Sequence, residues 1–330
     1  MKNVKKIGIP RTLYFYSFFP LWKTFFEELG MEVVFSPPTN KAIIDMGVKD
    51  TVNDACIPVK VFHGHVAALR NKVDFIFIPR LISMEGSITL CPKFLGLPEM
   101  VKSSVENLPS VVVENLHLNK RNFALPRFFL RVGKKFTSNV WLIWRAYFKA
   151  LYNWKVYKSQ LLQGYYPLAK GSREVVMAPG REKKEGSLKL AVLAYPYVLY
   201  DPFMSINLLD KLQAMGVDCY IPDSMQPAQI KRAKRHLPLN LFWYYSNQVT
   251  WTSLYFLYED RKQIDGIIHV TAFGCGPDAM VDKLIELEAR NNKMPFITIT
   301  IDEHTGEAGM STRLEAFVDM LKRRKDGSVS

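Results

Sequence analysis

Three of the four cysteines in this sequence share a local pattern that suits metal chemistry. Cys56, Cys91 and Cys275 each stand at a loop or at the start of a predicted helix, and a proline follows one or two residues later. Proline stiffens a loop and removes one backbone donor, and a helix N-terminus stabilises a thiolate through its partial positive charge. The pattern indicates either three ligands of one metal cluster or three independent buried cysteines, and the residues alone leave both interpretations open.

Two glycines favour the cluster hypothesis, whereas the separations between the cysteines do not support it. Gly274 and Gly276 flank Cys275 and leave room for a bulky inorganic group. Cysteine followed by proline also occurs in ferredoxin-type ligation. The cysteine separations of 35 and then 184 residues match neither a zinc ribbon nor a ferredoxin. Cys219 differs from the other three, because it stands in mid-strand and is predicted to be a buried, inert thiol.

Zinc is the competing metal. Cys56, His63 and His65 fall close together in the sequence. On a helix, positions 63 and 65 point about 200° apart, so the two imidazoles do not readily bind one ion. We therefore predict structural or supporting roles for both histidines.

A charged loop follows the predicted strand 296–301 (FITITI), at the kind of strand end where active sites of open α/β folds collect. Glu303 and His304 in this loop are candidates for proton transfer. The alternative is a capped, solvated loop that leads into the last helix. Arg313 on that helix is expected either to bind an anion or to pair with Glu303 or Glu307. The sequence has no GxxxxGK[ST] and no GxGxxG segment, so it predicts neither a P-loop nor a dinucleotide fingerprint.

Alternating strand and helix patterns position these residues. Apolar runs predict strands at KIGIP, EVVFS, DFIFIP, KLAVLA, GIIHV and FITITI and at residues 218–221. Amphipathic periodicity predicts helices over residues 16–29, 40–46, 57–69, 203–215, 277–290 and 311–322. Asp54 is the candidate cap of the helix 57–69. Strands that alternate with helices imply βαβ units and parallel sheets.

We therefore predict an α/β protein with two Rossmann-like domains. Residues 1–120 form the N-terminal domain, which carries two of the three patterned cysteines, and residues 188–330 form the C-terminal domain, which carries the third. Residues 121–187 are predicted to be a basic linker segment that is helical to residue 163 and loop-like near 171–186. Cysteines that follow successive strands can converge at the carboxyl edge of a parallel sheet.

The formal net charge of +13 is carried by this middle segment. From Lys120 to Lys189 there are 16 Lys and Arg against three acids, whereas the other residues carry 28 of each sign. Aromatic residues alternate with these cations, and the combination has three interpretations. It is typical of a nucleic-acid surface and of an interfacial helix on anionic lipid. In the third interpretation, the aromatics pack in the protein while the cations face an acidic partner or phosphates. We favour the third and predict no nucleic-acid partner. The expected docking face comprises Arg127, Arg131, Lys134, Lys135, Arg145 and Lys149.

Composition excludes several other classes of protein. With 13% aromatic and 23% charged residues, the chain is not collagen-like, a coiled coil or intrinsically disordered. Four cysteines in 330 residues are too few for a disulfide scaffold. No run approaches 18 apolar residues, and the basic N-terminus lacks the apolar core of a signal peptide. We therefore predict no transmembrane segment and a cytoplasmic location.

Four long stretches resemble a known superfamily. The chain is similar to acyl-CoA dehydratase activase-related proteins of the 2-hydroxyacyl-CoA dehydratase (2-hydroxyglutaryl-CoA dehydratase D-component) superfamily. The similar stretches are the opening from IGIPRTLYFYSFFPLWKTFF to DACIPVKVFHGHVAAL, then DFIFIPRLISMEGSITLCPKFLGLPEMV, FGCGPDAMVDKLIE and TIDEHTGEAGMSTRLEAFVDML. They cover both predicted domains, and the middle segment matches only in its basic, helical character.

The resemblance implies two α/β domains that face each other across a cleft holding an iron–sulfur cluster. Carried over by motif, Cys56, Cys91 and Cys275 would be the three ligands of a [4Fe-4S] cluster with one open iron. The resemblance also implies reduction by a separate ATP-dependent activase, because this chain shows no such ATPase segment. It further implies pairing with a paralogous cluster-binding subunit or with a second copy of this chain.

We therefore expect an iron–sulfur, electron-accepting component of an anaerobic 2-hydroxyacyl-CoA dehydratase-like system. Its reaction would be that of a (R)-2-hydroxyacyl-CoA dehydratase-like lyase or of an ATP-dependent reductase, with an acyl-CoA as the substrate class. The rival hypothesis is a non-catalytic cluster carrier or scaffold that docks a partner through the basic segment. With three candidate cysteines, an intrachain double cubane is not expected.

Overall fold

The computed structural model describes residues 4–118, 123–170, 174–179, 187–237, 239–303 and 306–327. Contacts divide the chain into two compact units. The first unit comprises Met1–Gln160, Pro167–Val176 and Leu241–Tyr244, and the second comprises Leu161–Tyr166, Met177–Asn240 and Tyr245–Ser330. Each unit contains a four-stranded parallel sheet, which confirms the predicted α/β class.

The first unit alternates strands and helices along the chain. Its elements are β1 (Lys6–Ile9), α1 (Phe15–Glu28), β2 (Glu32–Phe35), α2 (Lys41–Lys49), α3 (Ile57–Leu69), β3 (Phe75–Phe77), β4 (Arg80–Glu85), β5 (Ile88–Thr89), α4 (Pro92–Ser104), β6 (Ser110–Val112), β7 (Asn115–His117), α5 (Ala124–Lys134) and α6 (Val140–Leu162). Helix α6 belongs to this unit as far as Gln160. The parallel sheet has the order β2-β1-β3-β6, and a second sheet has the order β5-β4-β7. The predicted helices at 16–29, 40–46 and 57–69 correspond to α1, α2 and α3.

Helices α2 and α3 pack with their backbones in close approach. A Cβ built on Gly47 would lie 1.9 Å from the carbonyl oxygen of Lys60, and one on Gly64 would lie 1.9 Å from that of Ile43. Only glycine fits at either position, because any side chain would overlap the facing backbone. This packing fixes the position of α3 and therefore of Cys56, the residue that precedes the first turn of α3.

Aromatic side chains hold the basic helices to the rest of the first unit. Trp154 of α6 stacks on Phe18 at 5.5 Å between ring centroids and donates from Nε1 to the carbonyl oxygen of Ser17 at 2.9 Å. Phe129 of α5 meets Phe25 edge-on at 4.5 Å. Phe129 is a core residue and Trp154 is half-buried, so these two aromatics pack within the protein.

Four of the six cations assigned to the docking face form ion pairs inside the first unit. Arg131 and Lys135 pair with Glu114 at 2.6 and 3.7 Å. Arg145 and Lys149 pair with Glu28 at 3.4 and 2.6 Å. Internal acids therefore offset part of the charge that the sequence assigned to an external partner.

Two strands of one small sheet follow α6, β8 (Tyr165–Lys170) and β9 (Glu174–Pro179). The expected loop near 171–186 is therefore wrong over Glu174–Pro179, where the β-branched pair in EVVMAP favours a strand. Residues 171–173 and 180–186 lie outside the described part of the chain.

The second unit repeats the alternation of strands and helices. Its elements are β10 (Leu188–Leu193), α7 (Pro196–Leu199), α8 (Leu208–Ala214), β11 (Val217–Tyr220), α9 (Pro227–Ala233), α10 (Tyr244–Leu254), β12 (Gly266–Ala272), α11 (Gly276–Asn291), β13 (Phe296–Ile301) and α12 (Glu307–Lys325). The parallel sheet has the order β11-β10-β12-β13. Within the described ranges, no helix is long and apolar enough to cross a bilayer.

One predicted helix of this unit begins five residues late. The pattern predicts a helix over 203–215, but α8 begins at Leu208. The Asp201 carboxylate accepts the N–H groups of Phe203 and Met204, at 3.0 and 3.1 Å, and so holds the chain in a turn. Asn207 then adopts a left-handed conformation with φ 53°. The Asp201 carboxylate thus binds backbone N–H groups that a helix would otherwise use. Hydrophobic periodicity gives no information about this competition.

Candidate functional site

Each of the three patterned cysteines is the N-cap residue of a helix. Cys56 caps α3, Cys91 caps α4 and Cys275 caps α11, and each helix has a proline in its first two positions. Each cysteine thus stands beside the N–H groups that the first turn of a helix leaves without intrahelical partners. The start predicted for α3 is confirmed, and α11 begins one residue before its predicted start. Asp54 is not the cap of α3, because the helix begins two residues later than that cap requires.

Burial dominates the electrostatics of Cys56. Burial raises the pKa of its thiol, while the N–H of Val59 and the ammonium groups of Lys93 and Lys60 lower it by less. The Cys56 thiol is therefore protonated at neutral pH until a further positive group stabilises the thiolate. A metal ion is such a group, since a coordinating thiol is deprotonated outright.

Cys91 shares this environment. Burial raises the pKa of its thiol, the N–H groups of Phe94 and Lys93 lower it, and the charge of Cys56 raises it. The two sulfurs are thus close enough to influence each other. The Lys93 ammonium donates to the carbonyl oxygen of Asp54 at 3.1 Å, which holds this cation on the loop before Cys56. The first unit brings together two of the three predicted cysteines and supplies a cation beside them.

Cys275 opens into a pocket of about 670 Å³ within the second unit. Thr271 and Thr300, near the carboxyl ends of the adjacent parallel strands β12 and β13, line the same pocket. Gly274 has φ 75°, a conformation that favours glycine. A Cβ on Gly276 would meet nothing within 4 Å, so the space beside the cysteine is open. The pocket lies where open α/β sheets bind ligands.

A buried histidine stands between two carboxylates behind this pocket. His269 of β12 is fully buried, with Nδ1 2.8 Å from Asp282 and Nε2 3.3 Å from Asp278. Thr298 donates to the same Asp282 oxygen at 2.6 Å. Burial alone lowers the pKa of His269, but Asp278 and Asp282 raise it to about 9. His269 is therefore an imidazolium at neutral pH, and Asp282 connects it to the pocket lining.

Sequence reasoning missed this network. The sequence does contain an indication of it. His269 is the one titratable residue of the apolar strand GIIHV, and a histidine buried in a strand requires polar partners. Asp278 and Asp282 lie four residues apart on the next predicted helix and so share one helix face.

The charged residues predicted after strand 296–301 lie in different surroundings. Glu303 lies in the turn after β13, and His304 lies outside the described residues. Arg313 lines the pocket and donates to the carbonyl oxygen of Thr298 at 2.9 Å. Glu307 pairs with Lys211 at 2.8 Å, so the expected Arg313–Glu307 pair is replaced by a different one.

The two histidines of α3 are buried structural residues. His63 Nδ1 contacts the carbonyl oxygen of Val59 at 2.9 Å, and His65 Nε2 contacts Thr39 Oγ1 at 2.9 Å. Burial, and then the charge of Arg11, lower the pKa of His65 to about 3, so this ring is neutral. No group of three His, Cys, Asp or Glu side chains suited to one metal ion occurs among the described residues.

Two family models match the chain. The model described as CoA enzyme activase uncharacterised domain (DUF2229) matches residues 6–225, which are 220 of the 330 residues and include Cys56 and Cys91. The model described as 2-hydroxyglutaryl-CoA dehydratase, D-component, matches residues 233–321, which include Cys275 and its pocket. No curated protein matches the chain.

Proposed function

This chain belongs to the CoA enzyme activase uncharacterised domain family, and from that premise we propose that it is the iron–sulfur component of a 2-hydroxyacyl-CoA dehydratase-like system. The match of its C-terminal part to the dehydratase D-component supports the dehydratase side of the proposal. The observation that carries it is the shared placement of Cys56, Cys91 and Cys275 as N-caps of proline-started helices.

The donor set suits a [4Fe-4S] cluster held by Cys56, Cys91 and Cys275. Thiolates are the ligands that iron–sulfur clusters take, and the helix N-termini supply partial positive charge to each sulfur. A Cβ on Gly276 would meet nothing within 4 Å, so there is room for a bound group beside Cys275. When bound, such a cluster would supply one-electron chemistry and, at an iron without a cysteine ligand, a Lewis acid.

The pocket at Cys275 supports a substrate-binding role for the second unit. Its volume of about 670 Å³ lies within the range of small-molecule sites. Lys283 and Arg313 both line the pocket, and Lys283 pairs with Glu286 at 2.6 Å and with Asp282 at 3.6 Å. Arg313 is therefore the cation that suits an anionic compound such as an acyl-CoA. We retain Glu303 and His304 as the proposed proton-transfer residues, because both follow β13, whose end lines the pocket.

The proposed electron source is a separate ATP-dependent activase, and the proposed companion is a paralogous cluster-binding subunit or a second copy of this chain. The activase and dehydratase family matches support both partners. The proposed location is the cytoplasm, where thiols remain reduced.

Anaerobic reconstitution tests the cluster. We expect about four irons and four sulfides per chain, with charge-transfer absorption and an electron paramagnetic resonance signal on reduction. Cys56→Ala, Cys91→Ala and Cys275→Ala should each lose most of the iron. Cys219→Ala is the matched control, since this buried cysteine lies on β11 and caps no helix.

A wild-type chain that takes up no iron would overturn the proposal, as would equal iron loss in Cys219→Ala. Titration of the reduced, loaded protein with acyl-CoA compounds then tests the substrate class. A carrier without substrate chemistry would leave the spectrum unchanged, whereas a dehydratase-like component should show a shifted signal.

A further inference from the structure

The outward face of α6 carries large aromatic side chains in contact with solvent. Trp141, Phe148 and Tyr152 are 70, 63 and 67% exposed, and Val156 is 43% exposed. Their separations of seven, four and four residues place all four on one line along the helix. We call these residues the aromatic face of α6.

The opposite side of α6 is packed in the first unit, so the aromatic face is presented by an anchored helix. Ile143, Ala146 and Ala150 are fully buried, and Tyr157 donates to the carbonyl oxygen of Tyr16 at 2.5 Å. Large aromatics clustered on a protein surface are uncommon in monomeric proteins and mark contact surfaces. The aromatic face is thus a rigid ridge about 22 Å long, at 1.5 Å per residue.

Helix α6 itself carries positive charge only. Its sequence contains four cations, Arg145, Lys149, Lys155 and Lys158, and no acid. The guanidinium of Arg145 lies over the Trp141 ring at 5.7 Å. Glu28 contacts both Arg145 and Lys149, so one carboxylate faces two cations and the surroundings remain positive.

We propose that the aromatic face of α6 binds the surface of an anionic phospholipid bilayer without crossing it. Tyrosine and tryptophan have apolar rings with polar tips, and they settle at the boundary between headgroups and acyl chains. Arginine and lysine extend apolar stems and keep their charged ends at the phosphates. Both residue classes occur on this ridge, and a bilayer accepts a convex ridge without a complementary groove.

Other occupants fit these residues less well. A second copy of this chain would bring two helix faces with an excess of cations together, which is repulsive. Nucleic acid would bind the cations through its phosphates and stack its bases on the aromatics, but it would make no such contact with the exposed aliphatic Val156. The absence of acids from α6 favours a uniformly negative surface over the mixed charges of most protein surfaces.

Vesicle sedimentation with the full chain tests this inference. We expect the wild type to bind vesicles of phosphatidylcholine and phosphatidylglycerol (3:1), to bind pure phosphatidylcholine vesicles far more weakly, and to dissociate at high salt. The triple variant Trp141→Ala, Phe148→Ala, Tyr152→Ala should bind anionic vesicles roughly tenfold more weakly. Lys149→Gln with Lys155→Gln should weaken binding by roughly tenfold as well.

The matched control removes exposed apolar side chains elsewhere. Leu239, Phe242 and Leu287 are 80, 79 and 56% exposed, and their combined alanine variant should bind like the wild type. Circular dichroism melts verify that each variant is folded. The inference is overturned if the folded wild type ignores anionic vesicles, if the aromatic variant binds as tightly as the wild type, or if the face retains RNA in preference to vesicles.

Discussion

His269 shows how one buried residue couples the second unit to pH. Its pKa is raised from the ordinary 6.5 to about 9 by Asp278 and Asp282, against the opposing effect of burial. The imidazolium therefore stabilises the folded state fully below pH 6.5, and this contribution is lost as pH rises through 9. The two carboxylates would otherwise be buried without a cation.

The free energy of unfolding should accordingly fall between pH 6.5 and 9 by an amount on the order of 3 kcal/mol. Urea unfolding at a series of pH values measures it. His269→Gln should be less stable at pH 6.5 and nearly flat across this interval. His65→Gln is the control and should retain the wild-type slope, because burial lowers the pKa of His65 to about 3 and its ring is neutral throughout this interval. An unchanged slope in His269→Gln would assign the pH dependence to another group.

At the scale of elements, the α2–α3 contact decides whether Cys56 is held in place. Gly64→Ala would set a Cβ 1.9 Å from the carbonyl oxygen of Ile43, so the two helices must separate. We expect a loss of roughly 2–5 kcal/mol in the free energy of unfolding. Denaturant titration measures it.

Gly96→Ala supplies the matched comparison. Its Cβ would meet only the flexible end of Met100 at 4.0 Å, and alanine is the better helix former within α4. This variant should be neutral or slightly more stable. A Gly64→Ala protein as stable as Gly96→Ala would show that α2 and α3 are not in close backbone contact.

Long apolar stretches were predicted, and interrupted or short ones were not. The helix 57–69 matches α3, which is buried except at Ala68, and the strand 296–301 matches β13, because both stretches are predominantly apolar. The helix α4 was not predicted, since Gly96 and Pro98 interrupt its pattern. Strands β4 to β7 were missed as well, because they are short and depend on neighbours for pairing.

At the scale of the whole molecule, the three cysteines are divided between the two units. Cys56 and Cys91 belong to the first unit and Cys275 to the second. A cluster that used all three would bind the folded chain in preference to the unfolded one and would raise its melting temperature.

Anaerobic reconstitution should therefore raise the melting temperature of the wild type by roughly 3–10 °C, measured by differential scanning fluorimetry under nitrogen. Cys219→Ala should gain the same amount, because its thiol is not among the proposed ligands. Cys275→Ala should gain little. An equal gain in Cys275→Ala would show that the bound cluster does not depend on the cysteine of the second unit.

The sequence by itself determined the α/β class, the central strands and the helix-start placement of Cys56 and Cys275, because apolar patterns and proline position are local properties. It did not determine which distant residues meet. Glu28 pairs with Lys149 across 121 positions, and His269 meets Asp282 across a strand-to-helix turn. Such contacts depend on how elements pack, and packing depends on shape and charge in three dimensions. Only the tertiary structure therefore turned the predicted cationic face into internal ion pairs and left an aromatic ridge at the surface.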